Sequence, residues 1–563
     1  MPSFPRSAPR LLPALISLAA VNAASSAWAV DERPVIAVVA CDSYTDLRGQ
    51  VAWIGEQVGN PTLAGLVEGF ILFSTQGQGL AGLDVRRPLG VVVRAAGDEP
   101  DAMALVPVKD LDKLLAAVQG LTGPVQEADG VRSIAVPGGG VFEITERDGW
   151  AVVARKGSRA GDDEAAALIA PLVKDYSLGI QVFPARMPEG LRREFADGVR
   201  QGYAQATPGQ KVDEEALAGA IEALEDVESL TLGFKADDAA DKMVLEARGV
   251  MRPGSSAATL FVDAGKSTST VGLPPAADGK PTAVQAHYAQ AVPEAARTAV
   301  ETALAAAVLF DSDDPATKAI NGAIRDLVTA MLDAGGVDAA LAVDTSVATP
   351  GQSLPALTVG MRIKDGAALE RALRERLARP LPDVKVRLDA GKQGVATLHE
   401  IVLDISGRPE AKQLGDTITV TVAVAPGYAF VLTGDDVPRR IAAALDAGGK
   451  PIAAAQPIGG LGISLAGLVA YAAKLAAATD ATEPQAEALE EVAREAAGKP
   501  STRIAFDAQP IERGILLRLS ADAGAIQTIA AGATAQQAAV PAPAGPVPGA
   551  GGRRPAAAPA LAP

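Results

Sequence analysis

The apolar positions of residues 213–248 change period part-way along. Leu217, Ile221, Leu224 and Val227 recur at the spacing of one helical face, leaving Glu214, Glu215, Glu222 and Glu225 for solvent. Leu232 and Phe234, then Met243, Leu245 and Ala247, recur at every second residue, as in half-buried strands. The same succession returns at residues 485–520, offset by 272. There Leu489, Val492 and Ala496 form the helix face before a Gly498/Pro500 stop, and Ile504 and Phe506, then Ile515, Leu517 and Leu519, form the strands. Seven of the 36 aligned positions are identical (Glu215, Ala216, Leu217, Ser229, Phe234, Ala236 and Leu245 in the first copy), and no gap is needed. Turns are expected at 236–241 and 508–513, which are polar or contain proline. One apolar face per strand predicts a mostly antiparallel sheet covered by amphipathic helices.

Other segments repeat in the same order. Val108-Lys109-Asp110 and Ile363-Lys364-Asp365 each close a strand and cap a helix, whose apolar stripes are Leu111, Leu114, Leu115 and Val118 in one case and Leu369, Leu373 and Leu377 in the other. Gly149-Trp150-Ala151-Val152-Val153 is matched by Gly427-Tyr428-Ala429-Phe430-Val431, and Leu178-Gly179-Ile180 by Leu461-Gly462-Ile463. The pattern also predicts a strand at 34–40, helices over 42–73, strands at 89–94 and 103–108, a meander over 131–154, a strand at 177–183 and a helix at 191–199. Residues 266–282, rich in Ser, Thr, Gly and Pro, read as a linker, and 282–334 as mostly helical. The fold class is thus α+β, with two tandem homologous domains: 30–265 and 283–530, separated by the linker and expected to unfold separately unless a large apolar interface joins them. The tail 531–563, of Ala, Pro, Gly and Gln, is expected to be disordered.

Residues 1–29 read as a secretory signal: Arg6 and Arg10, an apolar run over 11–21, and Ala27-Trp28-Ala29 as the cleavage site, with Ala27 and Ala29 as its small residues. The expected mature chain begins at Val30 and is exported to the periplasm or beyond, with no later transmembrane span. Val38-Val39-Ala40-Cys41 has the form of a lipoprotein cleavage box. The charged Asp31, Glu32 and Arg33 separate it from the apolar run, so Cys41 reads instead as the end of a buried strand. As the only cysteine, Cys41 excludes an internal disulfide. A net charge of −16 argues against nucleic acid and anionic membranes as partners.

Arg87-Pro88-Leu89-Gly90, Leu105-Val106-Pro107-Val108-Lys109-Asp110, Asp148-Gly149-Trp150-Ala151 and Leu178-Gly179-Ile180 resemble landmarks of a family of exported planctomycete proteins without assigned function. The first half resembles the family well and the second loosely, and the family often has an aromatic where this chain has Leu89. The resemblance implies export, and brings no activity, cofactor or functional residue.

Motifs that carry chemistry are weak. Gly77-Gln78-Gly79-Leu80-Ala81-Gly82 fits a dinucleotide loop, but Arg86-Arg87-Pro88 and a strand follow where a helix is required. Gly265-Lys266-Ser267 lacks the first glycine of a phosphate loop, since Leu260 stands there. His287 and His399, the only histidines, have no partner at metal-ligand spacing, and read as surface or helix-packing residues. Asp311-Ser312-Asp313-Asp314 lacks the glycine and distal Glu of a calcium loop; it reads as a helix cap with Pro315 in the first turn. Trp150 and Tyr428 read as equivalent core aromatics. No cofactor, metal or catalytic residue is expected. The leading reading is an exported, non-enzymatic binding or envelope-structural protein. The alternatives are a carrier with an apolar cleft for a lipid-like ligand, and a hydrolase with a dispersed carboxylate site.

Overall fold

The computed structural model describes residues 33–539 apart from 129–130, 137–139, 159–164, 207–222, 265–266, 268, 275–281, 293–296, 299–314, 347–353, 379–382, 408–410, 449–457 and 478–482. The expected leader, residues 311–314, Lys266 and the chain after 539 therefore lie outside it.

A first run of elements comprises β1 (Val35–Cys41), α1 (Tyr44–Gln57), α2 (Leu63–Ser74), β2 (Leu89–Ala96), β3 (Glu99–Pro107), α3 (Leu111–Thr122), β4 (Gln126–Ala128), β5 (Val131–Val136), β6 (Gly140–Arg147), β7 (Trp150–Arg155), α4 (Ala165–Asp175), β8 (Leu178–Val182), α5 (Glu189–Ala206), β9 (Val227–Asp237), β10 (Lys242–Met251) and α6 (Ser256–Ala264). A second comprises β11 (Val284–Ala291), α7 (Pro315–Leu332), β12 (Gly336–Asp344), β13 (Ala356–Arg362), α8 (Gly366–Leu377), β14 (Val384–Gln393), β15 (Ala396–Asp404), β16 (Thr417–Ala425), β17 (Tyr428–Thr433), α9 (Val437–Ala447), β18 (Gly459–Ser464), α10 (Leu465–Ala477), α11 (Glu483–Ala497), β19 (Arg503–Ile511), β20 (Gly514–Asp522) and α12 (Ala523–Ala539).

The fold is α+β, and its strands join into one twenty-stranded antiparallel sheet. From one edge to the centre the order is β4, β5, β6, β7, β3, β2, β1, β8, β9, β10. From the other edge it is β14, β15, β16, β17, β13, β12, β11, β18, β19, β20. The two runs thus share one strand order. They meet where β10 and β20 pair over nine residues, Lys242 opposite Asp522 through Val250 opposite Gly514.

In the flanking parts of the sheet helices cover both faces, as alternation along the strands requires. In β7, Trp150 and Val152 pack towards α4 with Val38, Val92, Met103 and Ile169, while Ala151 and Val153 pack under α3 with Leu111, Leu115 and Ile144. In the second run, Val422 and Val424 of β16 lie with Leu369 and Leu373 of α8 and Leu327 of α7, while Ala423 and Ala425 lie with Ile441 and Ala444 of α9. The expected caps form: Asp110 accepts from the Lys113 N–H and Asp365 from the Ala368 N–H, each at 3.0 Å.

Several expectations need correction. The stretch 282–334 is not helical throughout, because β11 occupies Val284–Ala291 between β12 and β18. Alanine favours helices, but two flanking ladders override that preference here. Val227 opens β9 instead of closing a helix; the preceding residues 207–222 are not described. The turn expected over 508–513 contracts to Glu512-Arg513, against four residues, 238–241, between β9 and β10. Its strands nevertheless pair further towards the turn, so Phe506 and Leu519 stand 13 positions apart where Phe234 and Leu245 stand 11; the ungapped register breaks, and Leu245 has its counterpart in Leu519, each opposite the Phe of its hairpin, and not in Leu517. The chain past 530 continues as α12 to Ala539.

Part of the expected linker is packed. Ser269 and Val271 are buried, and Ser269 Oγ and Thr270 Oγ1 donate to the buried Asp338 carboxylate at 2.7 and 3.0 Å, as does the Thr270 N–H at 3.0 Å. Asp338→Ala would strand these donors, at about 1–3 kcal/mol for each left unpaired. The urea midpoint of the variant should fall well below that of the parent; an unchanged midpoint would contradict this role for Asp338.

Candidate functional site

Paired residues of neighbouring antiparallel strands share a face. Across the centre of the sheet, the pairings place Leu178, Phe234, Leu245, Leu519, Phe506 and Leu461 in a single row, one from each of β8, β9, β10, β20, β19 and β18. The row reads the same from either end: Leu, Phe, Leu, then Leu, Phe, Leu. Its midpoint is the Leu245–Leu519 pair. Beside it on the same face run Ile180, Leu232, Ala247, Leu517, Ala508 and Gly459.

Much of this face is open. Leu232, Leu245, Leu519, Phe506 and Leu461 are between 37% and 52% exposed, whereas Val38, Val92 and Met103 in the first run and Val422 and Val424 in the second lie under helices. On one side the row is bounded by a cluster of Trp53 and Ile54 from α1, Ala523 and Ile526 from α12, and Ala236 and Met243 from the strands. Elements from both runs thus build that boundary. The Gln527 amide of α12 donates to Gln57 of α1 at 2.7 Å, and the Ala523 N–H to the Asp241 carbonyl at 2.9 Å.

The opposite face of the same strands is polar. Its central row is Gly179, Gly233, Glu246, Arg518, Asp507 and Gly460. The Tyr176 hydroxyl donates to Glu246 Oε2 at 2.9 Å, and Arg518 Nε donates to Oε1 at 2.6 Å, so each oxygen of the carboxylate already holds a donor from a different run. Gly233 is required beneath Tyr176, since a Cβ there would stand 2.2 Å from the ring. Burial and then the Glu246 bond push the Tyr176 phenol up to about 12, which keeps it a donor at neutral pH. At the rim of the seam, Arg513 donates to Glu228 at 2.6 Å and to the Met251 carbonyl at 3.0 Å.

The residues singled out by sequence fall elsewhere. Gly82, the last glycine of the dinucleotide-like loop, has φ +86 and lies against the start of α3, where its carbonyl accepts from the Lys109 and Asp110 N–H groups. The loop thus leads into a helix cap, not a phosphate cradle. Ser267 Oγ accepts from the Ala291 N–H. Cys41 is buried at the end of β1, its thiol pushed up to about 11 by burial, so it is a poor nucleophile at neutral pH. Trp150 is half-buried beneath the Arg87 guanidinium, 4.5 Å from the ring centroid, and Tyr428 stacks on Phe430. Among the described residues, no group of three or more His, Cys, Asp or Glu is arranged to hold a metal, and no helix is long and apolar enough to cross a membrane. Alternation along each strand hinted at the apolar face, but the row depends on pairing between residues hundreds of positions apart.

His287 lies on β11, partly exposed, beside Gly460. His399 is wholly buried under α8; its Nδ1 accepts the Asp389 N–H at 3.3 Å and its Nε2 has no partner. Burial lowers its pKa, opposed by the Glu370 and Asp389 charges and aided by Arg374, which is itself paired with Asp389. A lowered value means the unfolded chain binds this proton first. The contribution of neutral His399 is therefore complete above about pH 6.5 and declines as pH falls below it. In urea unfolding across that range, His399→Gln should lose less stability on acidification than the parent. Equal acid sensitivity would contradict the assignment.

No protein-family model matches the chain, and neither a curated protein nor a solved structure shows similarity to it.

Proposed function

We propose that the chain is an exported, non-enzymatic binding protein made of two tandem homologous halves, 30–265 and 283–530, whose binding surface is the apolar face at the joined centre. The observation that carries this reading is the exposed row from Leu178 to Leu461. Contiguous apolar surface of this kind is held open against the hydrophobic effect, and on soluble proteins it marks places of interaction. The shared strand order and the matching caps Asp110 and Asp365 support the duplication.

The polar face favours no hydrolase, because the Glu246 carboxylate is engaged by Tyr176 and Arg518 where a general base needs an open oxygen. Export rests on the leader and on the planctomycete resemblance. Processing at Cys41 would remove β1, which pairs with both β2 and β8, so cleavage after Ala29 fits the fold better than lipid attachment.

Native mass spectrometry of the protein isolated gently from its own host tests this reading. The mature chain should begin at Val30 and carry a non-covalent adduct, and the doubly substituted Leu245→Lys/Leu519→Lys chain should lack it. A bare parent chain, or an adduct equally present on the variant, would overturn the proposal.

A further inference from the structure

We propose that β14 is an outer strand released by acid: protonation of His399 frees its second half, residues 388–393, from β15. Among the described strands β14 has one neighbour, β15, and the ladder between them is broken in the middle. Arg387 pairs with Glu400 and Gly391 with Leu398, which leaves His399 alone opposite Leu388, Asp389 and Ala390. Side chains bridge this gap instead. The Asp389 N–H donates to His399 Nδ1 at 3.3 Å, and Arg374 of α8 grips the Asp389 carboxylate with two bonds of 2.7 and 2.5 Å. Asp389 has φ +54, a conformation that a residue with a side chain keeps only under the support of its surroundings.

The imidazole is the part of this support that changes with pH. His399 is wholly buried and its Nδ1 is an acceptor, so the hydrogen sits on Nε2, which has no partner among the described residues. Protonation puts a hydrogen on both nitrogens. Nδ1 then turns an N–H towards the Asp389 N–H, and the gap loses a bond and gains a repulsion.

Among the described residues no counter-ion is to spare. The charged groups around the ring are Glu370 and Arg374 from α8 and Asp389 from β14, with Lys392 near the Asp389 carboxylate. On the other side, β16 sets the apolar Val422 opposite His399. Both carboxylates are already claimed by Arg374, Asp389 at 2.5 Å and Glu370 at 3.8 Å. Arg374 also holds the Asp389 carboxyl below the usual carboxylate range, so that clasp stays charged from pH 8 to pH 5 while the ring titrates. A buried imidazolium without a free partner is relieved by reaching water, and β14, paired on one side only, is the element that can yield. Its release bares the β15 backbone groups at Leu398, Thr397 and Ala396, which now face Gly391, Lys392 and Gln393.

The test follows hydrogen exchange of the full chain from pH 8 to pH 5 by mass spectrometry, with intrinsic rates divided out. Beside it, NMR titrates the His399 ring in a His287→Gln background, which leaves a single imidazole. Protection of residues 388–393 should fall with the midpoint of that titration. The loss at pH 5 should not exceed about thirtyfold, the factor by which an ordinary imidazole of pKa 6.5 favours the opened strand there. The β4–β5 hairpin at the other outer edge, which holds no histidine, should keep its protection. In His399→Gln, whose amide oxygen can accept the Asp389 N–H without titrating, the acid response should vanish. Protection of 388–393 that is constant with pH, a response that survives in His399→Gln, or equal loss at both outer edges would overturn the inference. If the glutamine variant fails to hold the strand, the parent decides: opening and ring titration at one midpoint support the device, and separate midpoints contradict it.

Discussion

Two sheet edges meet at the centre of this molecule, and the backbone ladder between β10 and β20 is the interaction on which the rest depends. Each run of ten strands would otherwise end in a long strand with unpaired N–H and C=O groups, an invitation to uncontrolled pairing. Pairing them satisfies both and places Leu245 against Leu519 at the midpoint of the sheet. The two outer edges are blunted differently. The strand β4 has only three residues, while β14 carries Lys385, Arg387 and Lys392 and is broken by a bulge at which Asp389 takes φ +54.

Once the ladder fixes register, the period of two fixes everything else at the centre. A slip of one residue between β10 and β20 would turn Leu517 and Leu519 to the face that holds Glu246, and Arg518 to the face that holds Leu245. The two faces therefore police one another. Arg518 finds the Glu246 carboxylate only in the observed register, and that same register lines up the exposed leucines and phenylalanines. The cross-run contacts of α12 with α1 and of Arg513 with Glu228 follow from the same junction.

Local chemistry was legible in the sequence where it was strong. Asp110 and Asp365 announced their helices, Leu369, Leu373 and Leu377 their buried stripe, and Ile504, Phe506, Ile515, Leu517 and Leu519 their common face. The strand β11 was not legible, since Ala286, Ala289 and Ala291 favour a helix in isolation and only the ladders to β12 and β18 make them extended. The ungapped offset of 272 hid a second hairpin two residues longer overall, its strands pairing further despite a shorter turn, which only the ladders reveal. Nor did Ser and Thr at 267–270 signal packing, because a polar run reads as solvent-facing until a buried carboxylate such as Asp338 is known to await it. The central face combined both problems: each strand's alternation was visible, but the assembly of six strands into one mirrored row depends on contacts far apart in sequence.

The claim that the two runs form one sheet is tested most directly by hydrogen exchange at the amides of β10 and β20 in the native full-length chain. Interior strands flanked by ladders on both sides should exchange slowly, and the account predicts protection in β10 and β20 comparable to that in β1 and β8. Exchange in β10 and β20 as fast as that of the outer strand β14 would mean that the two edges do not pair, and would contradict the account.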